Sequence, residues 1–358
     1  MKLSQLVESS EIIICCGSGG VGKTTTAAVL AMQAARGGRR AVVVTIDPAK
    51  RLADALGLDG IGNTPKVIDG DWKGELSAVM LDTKSTFDAI VTTYAADEEQ
   101  AERILSNRFY RNISGALSGT QEYMAMEKLY ELQADDGFDV VVVDTPPTRH
   151  ALDFLDAPRR LTTFLDHRLY RVLMAPTRGV MKAVNVAAQA FIRTVAKVVG
   201  ADVFDDAVAF FAAFEGMEQG FKQRAATVLQ LLTDPRTAFV LVASPRRDTV
   251  EEAHFFAAKL GENDIPVQAL IVNRMHPRFD AGRPEAAQER ARTLAGTDLG
   301  ALYANLAEFT LVAAREEEHL EGLAEQVAPA PVVRVPFLRS DVHDLDGLDE
   351  IASHLFDR

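Results

Sequence analysis

The chain has 358 residues, of which 47% are apolar and 25% charged, so it can bury a sizeable core and does not have the composition of a disordered polymer. Asp and Glu outnumber Lys and Arg by 51 to 38, a formal charge of -13, which argues against bulk nucleic-acid binding because that needs a basic face. The two cysteines, Cys15 and Cys16, are neighbours; this excludes a disulfide framework and a CxxC zinc site, and fits a reducing cytoplasm.

In chain order, short apolar runs predict strands over Ile12–Cys16, Ala41–Asp47, Ser77–Asp82, Phe138–Asp144, Ala238–Ala243, Val267–Asn273 and Val332–Val335. Most are continuously apolar, the pattern of parallel strands buried on both faces, and helical stretches separate them. This predicts an α/β fold with a mostly parallel wound sheet of about seven strands. Function should gather at the carboxyl ends of the strands, where three runs close on Asp47, Asp82 and Asp144 and one on Asn273. Residues 85–137 and 152–233 break the rhythm with apolar residues at a period near 3.6, predicting a helical subdomain. The nucleotide-binding core is then 1–84, 138–151 and 234–358. The longest apolar stretch, 183–199, is broken by Arg193 and Lys197, so no segment reads as a membrane span.

The strongest motif is GSGGVGKTTT, Gly17 to Thr26, placed after the first strand and opening a predicted helix over Thr24–Arg36. This is the context of a phosphate-binding loop, expected from Gly19, Gly20, Val21, Gly22, Lys23, Thr24 and Thr25. Glycines let backbone N–H groups close around phosphate oxygens, and the helix N-terminus adds its positive end. Lys23 is placed to reach the β- and γ-phosphates, and Thr24 to ligate Mg2+. Asp144, after four valines, has the form of a carboxylate that holds Mg2+ through water. Asp47 ends the second run, at the edge of the same crevice, where a carboxylate can orient or deprotonate the attacking water and stand near the metal. The alternative for either aspartate is a helix N-cap in a strand-to-helix turn, and placement by the fold of the phosphate loop favours the functional role.

The loop, DPAKRLADAL (47–56) and DTPPTRHALDFL (144–155) together resemble the ArsA-type ATPases, which include the arsenite-pump ATPase and the targeting ATPase for tail-anchored membrane proteins. GTQEYMAMEKL (119–129), VNR (272–274) and VPFLRSDVHDLDGL (335–348) extend the resemblance over nearly the whole chain. It implies a P-loop NTPase fold, ATP and Mg2+ as cofactors, and a dimeric switch. Asp47 matches the residue that positions the hydrolytic water, and Asp144 opens the second switch segment. Asn273, beside Arg274, matches the reader of the adenine edge, and Pro336 and Phe337 flank the base. The helical subdomain corresponds to the part that builds a hydrophobic client groove in the targeting members.

Departures from the pattern bear on function. The family loop carries a second lysine that reaches the partner's nucleotide, and this chain has Ser18 there, which cannot supply that charge. The pattern is most similar to the paired, unlike ArsA-like ATPases of actinobacteria, so the expected assembly is a homodimer or, better, a heterodimer with a lysine-bearing paralogue. The cysteines of a metalloid site are missing, which leaves His150 a poor arsenite ligand beside the alternative of a hydrogen bond within the switch. Arg149 suits either a phosphate contact or a solvated surface position. Residues 158–200 hold eight basic residues against one acidic, Asp166. That segment reads either as a solvated face or as a contact for anionic membrane or an acidic partner. The expected protein is a cytoplasmic ATPase, with a peripheral membrane contact left open. Its competing readings are a dimeric switch, a targeting factor for hydrophobic segments and a regulatory subunit; a metalloid pump fits least.

Overall fold

The computed structural model describes residues 2–46, 51–113, 120–134, 137–146, 159, 162–163, 166, 200–277, 279 and 284–356. The chain divides into two compact units: residues 1–80, 135–151 and 235–358 form one, and 81–134 with 152–234 the other.

The first unit is built on one eight-stranded sheet. Its strands are β1 (Ile12–Cys16), β2 (Arg40–Thr45), β3 (Lys66–Val67), β4 (Glu75–Met80), β5 (Val140–Asp144), β6 (Thr237–Ala243), β7 (Val267–Met275) and β8 (Val332–Pro336). The order across the sheet is β3-β4-β2-β5-β1-β6-β7-β8. Every pairing is parallel except β3 with β4. All seven predicted strands are present. The eighth, β3, is a two-residue antiparallel edge with both side chains exposed, and so has no apolar run to announce it. The central strands β1, β5 and β6 are buried at every position, which is why their sequences do not alternate.

The period-two geometry of a strand still divides those side chains between two faces. Ile13, Cys15, Val43, Val142, Val240 and Ile271 share one core cluster with helices α1 (Leu3–Ser9), α2 (Lys23–Arg36) and α13 (Leu345–Leu355). The remaining helices among the described residues of this unit are α3 (Arg51–Ala55), α10 (Arg247–Glu262), α11 (Pro284–Thr293) and the long α12 (Asp298–Gln326). α10 packs on β6 and α12, and α11 on α12.

The second unit contains α4 (Thr83–Tyr94), α5 (Glu98–Leu105), α6 (Arg108–Ile113), α7 (Thr120–Ala134), α8 (Ala201–Ala213) and α9 (Glu218–Thr233). Asp82 caps α4, its side chain accepting from the Ser85 N–H at 2.5 Å, so this aspartate, two residues past the end of β4, is a helix cap. Phe210, Phe214 and Phe221 are buried and pack with Tyr94, Tyr110 and Tyr123. Among these rings lies a charge: Glu127, 2% exposed, binds Arg224 Nε at 2.7 Å and accepts from Tyr123 Oη at 2.5 Å. The basic segment 158–200 falls almost wholly outside the described residues, as do Arg149 and His150.

Candidate functional site

Strand register assembles the site. Cys15 of β1 and Thr45 of β2 both lie level with Asp144 of β5, so three carboxyl ends meet at one height. The chain leaves β1 into the glycine loop. Gly17 has φ +148, and a Cβ there would stand 2.0 Å from the Val242 carbonyl oxygen of β6. Gly22 has φ +96 and N-caps α2; its Cβ would meet Asn273 Nδ2 at 2.2 Å. At both positions only glycine meets the backbone angle and the close approach together.

Lys23, 5% exposed, turns its ammonium onto the Ser18 carbonyl at 2.8 Å. Thr24 Oγ1 donates to Asp144 Oδ2 at 2.7 Å, and Thr45 Oγ1 donates to the same oxygen at 2.9 Å. Asp144 is 1% exposed, so the two hydroxyls hold a deeply buried carboxylate oxygen against the first turn of α2. The hard oxygens of Thr24 and Asp144 suit Mg2+, which takes few protein ligands and completes its shell with phosphate and water. Thr145 Oγ1 donates to the Cys15 carbonyl at 2.8 Å and ties the strand ends together. Asp47 lies outside the described residues, so its position relative to these groups is not part of the geometry.

The other end of the site comes from β7 and β8. Arg274 adopts φ +63, and the pairing of β7 with β8 shifts register between Val272 and Met275. This irregularity sets Asn273 against the loop, where its Nδ2 donates to the Val21 carbonyl at 3.0 Å and its Oδ1 accepts from the Arg274 N–H. Arg274 Nη1 in turn donates to the Gly20 carbonyl at 3.0 Å. A cavity of about 530 Å³ joins the two ends; Gly20, Gly22, Lys23, Thr24 and Thr25 line one side, and Asn273, Arg274, Pro336 and Phe337 another. Of the predicted loop residues, Val21 is buried below this surface and Gly19 is exposed.

Sequence reasoning missed Thr45, because its partnership depends on the order of strands. It also passed over Arg51, Asp54 and Asp341 as cavity-lining residues, although 51 and 54 lie in the quoted DPAKRLADAL motif and 341 in VPFLRSDVHDLDGL. Ser18 is 4% exposed, and its Oγ has no hydrogen-bond partner among the described residues. Both thiols are buried: burial, with the nearby Asp144 carboxylate, holds Cys15 well above the usual thiol range, and burial pushes Cys16 up to about 12. Protonated thiols of this kind are neither nucleophiles nor metal ligands at neutral pH.

A parallel wound sheet with a glycine loop between its central strand and a helix, and a buried aspartate on the adjacent strand, defines a P-loop nucleotide-binding protein. A family model described as the anion-transporting ATPases matches residues 10–294, and the chain belongs to that family. It is 28% identical over 234 residues to the ATPase GET3 of Malassezia globosa, covering 65% of this chain and 63% of that protein. It is 23% identical over 314 residues to an ATPase get3 of Schizosaccharomyces japonicus, covering 88% and 82%. A segment of 146 residues, 38% of this chain, is 30% identical to a Halobacterium salinarum protein named as an arsenical pump-driving ATPase, and spans 22% of it. The chain thus spans less than two thirds of the length of the Halobacterium and Malassezia relatives, 22% and 63%. Among the described residues, no helix is long and apolar enough to cross a membrane.

Proposed function

We propose that this chain is an ATP-hydrolysing switch that works in a pair with a second ArsA-type subunit. The observation that carries the reading is the contact of Thr24 Oγ1 with Asp144 Oδ2, 2.7 Å, beside a cavity that Thr24 lines together with Asn273 and Phe337. Lys23 would leave the Ser18 carbonyl for the β- and γ-phosphates. Thr24 would ligate Mg2+, which neutralises charge on the phosphates, with Asp144 behind it through water. Asp47 would orient the attacking water. Asn273 offers both a donor and an acceptor to an adenine edge, and Pro336 and Phe337 would flank the base.

The inward burial of Ser18 supports pairing with an unlike subunit. A short buried hydroxyl cannot cross to a partner's nucleotide, so two copies of this chain would lack the cation that offsets charge on the transferring phosphoryl group. A lysine-bearing paralogue would complete this site and receive nothing back. The similarity to fungal ATPase GET3 proteins supports a second reading, an ATP-timed factor for hydrophobic segments, with a cytoplasmic location.

The test measures steady-state ATPase of the wild type, Lys23→Ala, Asp47→Asn and Ser18→Lys, each alone. Lys23→Ala should abolish turnover, and Asp47→Asn should lower it by roughly 10²–10⁴-fold while keeping ATP bound. Ser18→Lys should raise the rate of the otherwise slow homomeric protein. A Lys23→Ala protein as fast as wild type refutes the site, and a fast wild type indifferent to Ser18→Lys refutes the unlike pair.

A further inference from the structure

Phe337 is unusual for a phenylalanine: it is 62% exposed, yet it lines the nucleotide cavity and follows the last strand directly. Its backbone N–H donates to the Met275 carbonyl at 2.8 Å, which pins its Cα to β7. Its ring is near-parallel to the imidazole of His276, with centroids 6.4 Å apart and planes inclined by 22°. His276 is itself held. Its backbone N–H donates to Glu316 Oε2 at 2.8 Å, and its Nδ1 lies 2.6 Å from Glu316 Oε1. A carboxylate only accepts, so Nδ1 carries the proton and the carboxylate grips one residue by backbone and side chain together. Glu316 belongs to α12, and Phe309, two turns earlier on that helix, packs 6.2 Å from the same imidazole.

We propose that His276 and Glu316 are positioning residues for the base, fixing the plane of Phe337 before nucleotide arrives. An exposed aromatic ring on a surface segment samples several rotamers, and ordering one on binding costs affinity. Here the ring already has a clamped, near-parallel imidazole as its neighbour. The ring remains exposed in the cavity, so a purine can stack on it at little ordering cost. Neither residue lines the glycine-loop side of the cavity, where the phosphates would bind. The clamp therefore acts on recognition of the base, and it rests on the nucleotide assignment made above.

The experiment is calorimetric titration of the full chain with ATP and, separately, with tripolyphosphate, both with Mg2+. Tripolyphosphate carries the phosphates and lacks the base. His276→Ala should weaken ATP by roughly 2- to 12-fold, the span of an aromatic pair, and should change tripolyphosphate by less than about twofold. Glu316→Ala should follow the same pattern. His276→Phe keeps a ring but loses Nδ1–H, and should fall between wild type and His276→Ala. In turnover, KM should rise more than kcat falls. Equal weakening of both ligands would mean general damage to the site and overturns the positioning role; so does unchanged ATP affinity. Lys23→Ala separates the two layers. If it weakens both ligands while His276→Ala affects neither, only the clamp is refuted. If it weakens neither, the nucleotide site and the clamp fail together.

Discussion

Gly22 and Asn273 lie 251 positions apart, and the structure makes them obstruct one another on substitution. Gly22→Ala would place a Cβ 2.2 Å from Asn273 Nδ2 at a φ of +96. An alanine held in the left-handed region costs roughly 1–2 kcal/mol. Displacing the Asn273 amide also breaks its 3.0 Å bond to the Val21 carbonyl, a further 0.5–1.5 kcal/mol or so. Loss of chain entropy in the unfolded state returns about 0.4–1 kcal/mol, so the net cost is on the order of 1–3 kcal/mol. Asn273→Ala removes the obstruction and the bond together. In that background Gly22→Ala should cost only its strain, and the cycle should show a coupling of about 0.5–1.5 kcal/mol. Gly17→Ala is the control. Its Cβ would meet a backbone carbonyl, Val242 O at 2.0 Å, which no side-chain truncation can move, so Asn273→Ala should not relieve it. Urea unfolding followed by the fluorescence of Trp72, the sole tryptophan, reads the right unit: its indole N–H donates to the Ile68 carbonyl at 2.9 Å within the sheet-bearing unit. Additivity of Gly22→Ala and Asn273→Ala within about 0.3–0.5 kcal/mol would refute the contact between the base-reading strand and the phosphate loop.

Two further outcomes are expected. Cys15 and Cys16, buried and held protonated, should react with iodoacetamide at neutral pH no faster than the sheet opens, and arsenite should not stimulate ATPase; rapid labelling, or several-fold stimulation lost in a Cys15/Cys16 double mutant, would contradict this. The Asp82 carboxyl is held below the usual carboxylate range by its bonds to Ser85, so its contribution to α4 is present above the ordinary aspartate pKa and lost as pH falls through the lower folded value. Asp82→Ala should therefore destabilise the helical unit by about 0.5–2 kcal/mol at pH 7 and by less at pH 3, seen by circular dichroism; an equal cost at both pH values would assign the effect to something other than the charged cap.

What could be read from the sequence was whatever lies consecutively along it. The valines of β5 and the isoleucines of β1 are apolar on both faces, so the strands were visible, and the glycine loop was visible because its whole chemistry sits between Gly17 and Thr25. Thr45 is a threonine at the end of a valine run like many others. It becomes part of the site only because β2 lies beside β5, which sets it level with Asp144. Asn273 was found through a resemblance, yet what turns it toward the loop is the left-handed backbone of Arg274 and the register shift beside it, neither of which has a signature in the residues 272–274. His276 and Glu316, 40 positions apart, were ordinary surface residues until β7 and α12 met. Ser18 shows the opposite case. The sequence marked it as a lost lysine, and the structure adds that its side chain is buried within the loop itself. A substitution that only removed a charge would leave a hydroxyl at the surface. Burial means that Ser18→Lys must also turn the side chain outward, so whether the phosphate loop of this chain tolerates that turn decides if the asymmetry of the proposed pair can be undone by one residue.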